Sequence, residues 1–389
     1  MEAFLATVLE QIKEQSLYRK LQGLESAQDA VVTIQGKRFI QFSSNNYLGL
    51  ANHILLKNAA KAALEAYGTG VGASRLIAGN SIFYEALENR LAKFKQTEAA
   101  LVFPTGYQAN VGTISALMSP DGLIFSDALN HASIIDGCKL SGSRIIVYPH
   151  RDLDALEKMV RSAPAARHKL ILTDGVFSMD GTIAPLAGLV ALAKRYHCWV
   201  MVDEAHGTGV LGKHGRGAAE HLAVENDVDI HMGTFSKALG SLGGYVAGSR
   251  KLIDFLINKC RSLIYSTGLP PSVLAANLAA IQMVDEDSSL RENLWDRAQY
   301  VRRELNNRGF DTLGSETQII PVRIGDPTLT MEFSRYLLDR GVFAHGIRPP
   351  TVPRGLSRIR IAVMATHNRE DLLYGIEVIE EAGKKFRML

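Results

Sequence analysis

Trp199-Val200-Met201-Val202-Asp203-Glu204-Ala205-His206, followed by Asp229-Ile230-His231-Met232-Gly233-Thr234-Phe235-Ser236-Lys237, are the two stretches on which the fold turns. The first apolar run predicts a buried strand that delivers Asp203 and, three residues on, His206 to its carboxyl end. The second approach delivers Lys237 among small and hydroxyl residues, with Gly233, Gly240, Gly243 and Gly244 close by to let backbone and ligand approach each other. A carboxylate and a lysine at neighbouring strand ends, about one crossover apart, suit a pyridoxal 5′-phosphate site. There the carboxylate keeps the pyridine nitrogen protonated and the lysine forms the Schiff base.

Working outward, helix-period segments alternate with short strand-like runs from Leu55 to about Val284. Phe83, Leu87, Leu91 and Phe94 mark one helix. Ala99–Phe103, Leu123–Phe125, Arg144–Tyr148, Leu170–Thr173 and Trp199–Val202 mark strands. This alternation predicts an α/β fold with a mainly parallel sheet covered by helices on both faces. Ligands in such sheets sit beyond the carboxyl ends of the strands, where Gly106-Tyr107, Asn130-His131, Asp174 through Ser178, Asp203, His206 and Lys237 fall. The polar, acidic break Asp285-Glu286-Asp287-Ser288-Ser289 divides this part from a C-terminal one. The expected organisation is an N-terminal arm over 1–45, a large domain over 46–285 and a small α+β domain over 286–389.

A length of 389 residues exceeds what one core usually holds, which agrees with a large and a smaller domain. The net charge of +3 is too small to argue for nucleic acid or anionic lipid, and no apolar run approaches the length that spans a bilayer. Phe4, Leu5, Val8, Leu9 and Ile12 recur at helical spacing with Glu2, Glu10 and Glu14 among them, an amphipathic helix rather than a leader. Its apolar stripe must cover something, such as another subunit. Cys138, Cys198 and Cys260 follow no metal-binding pattern, so no metal is expected and a reducing cytoplasm is the simplest setting.

Each candidate has a plainer reading beside it. Lys237 competes with a surface lysine, and its small-residue setting favours the imine. Asp203 competes with a strand-end cap, His206 with a structural histidine, and His131, which can stack on an aromatic ring, with a helix cap. Gly106-Tyr107-Gln108 opens a helix through Leu117 and offers its free N–H groups to a phosphate, with the Thr234 hydroxyl as a further donor. Ser178 also fits an ordinary turn. Arg358 and Arg360 share one face of a strand, where one can hold a substrate carboxylate or both can line a solvated edge. Gly207-Thr208-Gly209-Val210-Leu211-Gly212 mimics a dinucleotide fingerprint, yet a loop follows where a helix should open. Gly68-Thr69-Gly70-Val71-Gly72-Ala73 follows a helix-like segment where a strand should precede it.

Taken together, Val202-Asp203-Glu204-Ala205-His206-Gly207-Thr208-Gly209, Gly233-Thr234-Phe235-Ser236-Lys237 and Asn130-His131-Ala132-Ser133 resemble the α-oxoamine synthases, fold-type I pyridoxal phosphate enzymes. The likeness runs from Ser43-Ser44-Asn45-Asn46-Tyr47-Leu48-Gly49 to Arg358-Ile359-Arg360. Ile264 to Pro271 and Ile347 to Pro353 are similar to the branch that condenses L-alanine with a pimeloyl thioester in biotin synthesis. A sister branch joins glycine to acetyl-CoA. The resemblance implies a seven-stranded sheet and a homodimer with shared active sites. It also implies an acyl group delivered as pimeloyl-CoA or on a pimeloyl-carrier protein. Its residue roles are Lys237 as imine, Asp203 on the pyridine nitrogen, His206 on the phenolic oxygen and His131 over the ring. Gly106, Tyr107 and Thr234 would take the phosphate, with Ser178 near the cofactor and Thr267 reaching the partner's. Arg360 would hold the amino-acid carboxylate, with Asn45 and Thr351 near substrate and Arg19 near the acyl chain. Tyr84 departs from the histidine that many relatives carry there.

Overall fold

The computed structural model describes residues 1–15 and 17–389. Contacts group them into two compact units: Leu48–Ser178 with Thr182–Glu292, and Met1–Tyr47 with Met179–Gly181 and Asn293–Leu389.

The larger unit is built on a seven-stranded sheet: β1 (Ala99–Phe103), β2 (Leu123–Asp127), β3 (Arg144–Tyr148), β4 (Lys169–Asp174), β5 (Trp199–Asp203), β6 (Ile230–Thr234) and β7 (Gly244–Gly248), in spatial order β1-β7-β6-β5-β4-β2-β3. β2, β3, β4, β5 and β6 pair in parallel, while β7 runs against both of its neighbours. The interior strands are buried along essentially their whole length, because helices cover both faces and leave no room for polar alternation. β3, at the edge, exposes Arg144, Ile145 and Val147. Leu101, Phe103, Ile124, Leu170, Leu172, Met201, Met232 and Val246 pack with Ile114, Ile134 and Leu256 of the covering helices into one core. The sequence pattern misses only β7, whose Gly244-Tyr245-Val246-Ala247-Gly248 is bounded by glycines and reads as a loop. Gly244 has a steric reason: a Cβ there would stand 2.6 Å from the Thr105 carbonyl oxygen and 2.7 Å from the Gly106 Cα. β7 can therefore lie against the start of the helix after β1 only without a side chain at 244.

The smaller unit has two three-stranded sheets. In one, Lys37–Gln41 lies between Val31–Ile34 and Val342–Phe343. In the other, Ser357–Ala362 lies between Ile319–Gly325 and His345–Ile347. Arg358 and Arg360 thus sit on a central strand and are both buried, so the solvated-edge reading of this pair is corrected. The helices of this unit are most of Ser289–Asn307, Pro327–Asp339, Arg369–Lys385 and Glu2–Glu14, the last of which has no buried residue and leaves Phe4, Leu5 and Leu9 exposed.

His367 gives this unit a pH dependence. Its Nδ1 accepts from the Met364 N–H at 2.9 Å and its Nε2 lies 3.1 Å from the Gln41 carbonyl, which fixes the neutral tautomer with hydrogen on Nε2. Burial pushes its pKa down from 6.5 to about 4. The unfolded chain therefore takes up a proton that the native state refuses, so stability is fully present above pH 6.5 and is lost as pH falls toward 4. The expected loss from this one group is about 2 kcal/mol at pH 5. Urea unfolding at pH 7 and pH 5 checks it, with His367→Gln reducing the difference.

Candidate active site

The carboxyl ends of β4, β5 and β6 open on a cavity of about 200 Å³ lined by Gly106, Tyr107, Asn110, His131, Ser133, Asp174, Asp203, Ala205, His206, Met232, Thr234, Ser236 and Lys237. Parallel strands put every carboxyl end on one side of the sheet, so residues far apart in sequence converge without any bend in a strand.

Asp203 ends β5 and is buried. One carboxylate oxygen accepts from the Asn110 side-chain amide at 2.7 Å and the other from the Ala205 N–H at 2.8 Å. Asn110 is four residues past Gly106, so one helix, Gly106–Leu117, sends its free end and an Asp203-orienting side chain to the same cavity. The Lys237 amine lies 3.0 Å from His206 Nε2. His206 is buried two residues beyond Glu204, in the turn leaving β5. His131 takes the helix-cap role that competes with stacking in the sequence, accepting from the Ser133 N–H at the start of Ala132–Ser141, and it also faces the cavity. Burial holds its imidazole below the ordinary histidine range, against the pull of Asp203, so the ring is neutral at pH 7.

Thr105 caps the helix Gly106–Leu117 by accepting from the Gln108 N–H at 3.1 Å, and the first-turn amides of Gly106 and Tyr107 have no acceptor within the helix. The Thr234 hydroxyl donates to the Gly243 carbonyl at 2.6 Å and accepts from the Ser236 N–H at 3.1 Å, which holds the loop before Lys237 against the start of β7. Tyr107 is exposed, and its phenol bonds the Asp136 carboxylate.

The glycine string after His206 is a turn-rich loop in which Gly209, Gly212 and Gly215 all have positive φ. The helix it reaches, Ala218–His221, has its N-terminal amides filled by the chain itself. The two Glu204 carboxylate oxygens accept from the Ala218 and Ala219 N–H groups at 2.7 and 2.9 Å. Burial pushes this carboxyl above its usual range, and the buried Lys95 charge opposes that shift. No phosphate seat is left there, and the dinucleotide fingerprint fails on structure as it fails on context.

Of the sequence-derived residues, Gly106, Tyr107, His131, Asp203, His206, Thr234 and Lys237 meet around this cavity. Ser178, in a turn, and Thr267, exposed and bridged to Ser74, belong to the same unit but do not line it. Arg360 and Asn45 meet in the smaller unit, where the guanidinium donates to Asn45 Oδ1 at 3.0 Å and to the Tyr47 hydroxyl at 3.3 Å. Arg358 is engaged with Asp180 at 2.6 Å and with the Met179 carbonyl. Arg19 and Thr351 are exposed in the same unit. Tyr84 is fully buried, accepts from the Leu269 N–H at 2.6 Å and carries Arg75 3.8 Å above its ring, a packing role that needs no histidine. The lining residues missed from sequence are Asn110, Ser133 and Ser236, while Asp174 is placed there only as a strand-end residue with no role. Asn110 was within reach of a helical i, i+4 argument from Gly106, whereas Asp174 follows a strand as many turn-forming aspartates do.

The residues fit pyridoxal 5′-phosphate. A lysine amine, a buried acceptor carboxylate, a neutral imidazole and a glycine-started helix end surround a cavity of aromatic-ring size. A family model, Aminotransferase class I and II, matches residues 37–379. The 8-amino-7-oxononanoate synthase of Geobacter sulfurreducens is 51% identical over 387 residues, covering 99% of both chains. That of Thermoanaerobacter pseudethanolicus is 48% identical over 99% of this chain and 98% of its own. Among solved structures, serine palmitoyltransferase from S. paucimobilis with bound PLP and myriocin superposes with a TM-score of 0.94 at 31% identity, covering 99% of this chain and 98% of that one. The 8-amino-7-oxononanoate synthase of Francisella tularensis superposes with a TM-score of 0.79 at 26% identity, covering 90% of this chain and 99% of that one. The chain therefore belongs to the class I and II aminotransferase family of fold-type I pyridoxal phosphate enzymes, and within it to the 8-amino-7-oxononanoate synthases.

Proposed function

We propose that this protein uses pyridoxal 5′-phosphate to condense L-alanine with a pimeloyl thioester, giving 8-amino-7-oxononanoate, carbon dioxide and the free thiol. The observation that carries the reading is end-to-end identity of 51% to a synthase of that name, joined to a cavity that gathers Lys237, His206, Asp203 and His131. In balance, the Cα–H bond breaks, a bond forms between the alanine Cα and the acyl carbon as the C–S bond breaks and the thiolate takes a proton, and the bond from Cα to its carboxylate then breaks, with a proton returned to Cα.

Pyridoxal phosphate, when bound, supplies a ring that accepts the electron pair left on the alanine Cα. Asp203 holds a proton at the pyridine nitrogen, and Asn110 and the Ala205 amide orient it to do so. His206 donates to the phenolic oxygen, and His131 stacks on the ring. The Gly106 and Tyr107 amides bind the phosphate, with Thr234 and Ser178 as further contacts. Lys237 anchors the cofactor and moves the proton at the alanine Cα. The residue is half-buried, with its amine beside His206. Arg360 takes the alanine carboxylate bidentately, with Asn45 orienting it and Thr351 near the substrate. Arg19 serves the acyl chain. The protein works as a cytoplasmic homodimer in which Thr267 reaches the partner's cofactor. The bare apolar stripe of Glu2–Glu14 and three free cysteines fit that setting.

The high structural similarity to serine palmitoyltransferase makes the choice of amino acid the point to test. Thiol release is measured for alanine, glycine and serine, each with pimeloyl-, acetyl- and palmitoyl-CoA. Preference for alanine with pimeloyl-CoA supports the proposal. Preference for glycine with acetyl-CoA assigns the chain to the sister reaction, and for serine with palmitoyl-CoA to the third.

A further inference from the structure

His131 follows the β2 strand end on a loop that owes its position to a closed pair of contacts with β4. The Asn130 side-chain amide donates to the Leu172 carbonyl and to the Ser126 hydroxyl, each at 2.9 Å, and its oxygen accepts from the Asp174 N–H at 2.9 Å. The return contact runs the other way. An Asp174 carboxylate oxygen accepts from the His131 N–H at 2.7 Å. Asn130 and Asp174 are 5% and 4% exposed. One such hydrogen bond would leave the loop free to pivot about it. Two of opposite sense, from adjacent residues of the loop to the same strand end, do not. The imidazole is then tied through Nδ1 to Ser133 at 2.8 Å, so both the backbone and the ring of His131 are fixed before any ligand arrives.

Asp174 is an unusual choice for this task. It stands in register with Asp203 on the neighbouring strand, and both line the cavity. Burial, and after it the Asp203 charge, push the Asp174 carboxyl well above the usual carboxylate range. A second acid beside the one that must stay ionised would be a burden if its charge were the point. An acceptor for one backbone N–H is what the geometry uses, and a neutral acid or an amide supplies it equally well.

We propose that Asp174, locked by Asn130, is a positioning residue: it holds the His131 backbone so that the imidazole lies flat on the cofactor ring, and it acts on the reaction only through His131. This rests on the pyridoxal phosphate reading of the site. A strand-end brace without such a role would weaken the protein whether or not residue 131 carried a ring, and this difference is measurable.

The test is a double-mutant cycle on the holoenzyme, with Asp174→Ala, Asp174→Asn, His131→Ala and His131→Ala/Asp174→Ala read by the visible circular dichroism of the bound cofactor and by kcat for thiol release. Asp174→Ala is expected to keep the cofactor's visible band, change its circular dichroism in the sense that His131→Ala does, and slow kcat by ~10- to ~100-fold, the scale of a small misplacement. Asp174→Asn recovers most of that loss. The double variant is no slower than His131→Ala alone, because coupled residues are not additive. If Asp174→Ala slows the reaction by the same factor with and without the imidazole, or Asp174→Asn is as damaged as Asp174→Ala, the proposal is wrong. Should Asp174→Ala fail to accumulate as folded protein, Asn130→Ser runs the same cycle by breaking the other half of the clamp. A wild-type holoenzyme that shows the visible band without alanine-dependent thiol release contradicts the proposed reaction, and the dichroism cycle still decides the clamp.

Discussion

Lys237→Ala purifies folded but without the imine-linked visible absorbance, and its turnover falls by at least ~10⁴-fold, the scale on which an enzyme loses a covalent and proton-moving group. The geometry supports a loss of that size. Lys237 follows β6 on a loop held by Thr234, Ser236 and the Gly243 carbonyl, with Phe235 fully buried beneath it. Its amine is delivered to within 3.0 Å of His206 by that hydrogen-bonded loop. Lys237→Arg keeps a cation but not a neutral amine, and is expected to be as inactive as the alanine variant. Unchanged thermal unfolding in both variants would locate the loss in chemistry. Retained turnover in either would remove Lys237 from the reaction.

Asp203→Asn is the second large effect, a fall in kcat of about 10³-fold with a smaller loss of cofactor affinity, as expected when a preorganised charge is removed from a buried site. Two causes act together. The amide cannot hold a proton on the ring nitrogen as a carboxylate does, and the Asn110 amide, which now donates to an Asp203 oxygen at 2.7 Å, meets either a competing donor or an oxygen taken from the Ala205 N–H. Deprotonation of the alanine Cα, followed by solvent exchange of its hydrogen, reports the first cause separately from cofactor binding. Exchange at the wild-type rate would show that the carboxylate is not needed at the ring.

Trp199–His206 and Asp229–Lys237 specify the centre of the fold because their signals are local. Trp199–Val202 is an unbroken apolar run, and its burial on both faces is what a parallel sheet interior requires. The helix from Gly106 was legible from a strand followed by a small residue. β7 was not, since a strand bounded by glycines has the composition of a loop and is set by its neighbours β1 and β6. The same division runs through the site. Lys237, Asp203 and His206 announce themselves by residue type and spacing, whereas Asn110 and Asp174 matter through partners 93 and 43 residues away in sequence, a relation that no local pattern encodes. Arg358 and Arg360 alternate identically on one strand, and their partners separate them: the Asp180 carboxylate beside Arg358, and Asn45 and Tyr47 beside Arg360. Glu204 was hidden in plain view between Asp203 and His206, because a buried carboxylate that fills a helix end looks, in sequence, like any solvated glutamate.

A decarboxylative condensation releases the alanine carboxylate as carbon dioxide, so the fate of that one carbon decides the reaction. The holoenzyme is given pimeloyl-CoA and L-alanine isotopically labelled at the carboxylate carbon, and the gas and the organic product are analysed together. One labelled carbon dioxide is expected for each thiol released, with 8-amino-7-oxononanoate free of label. Label retained in the product, or pyruvate formed without thiol release, would contradict it.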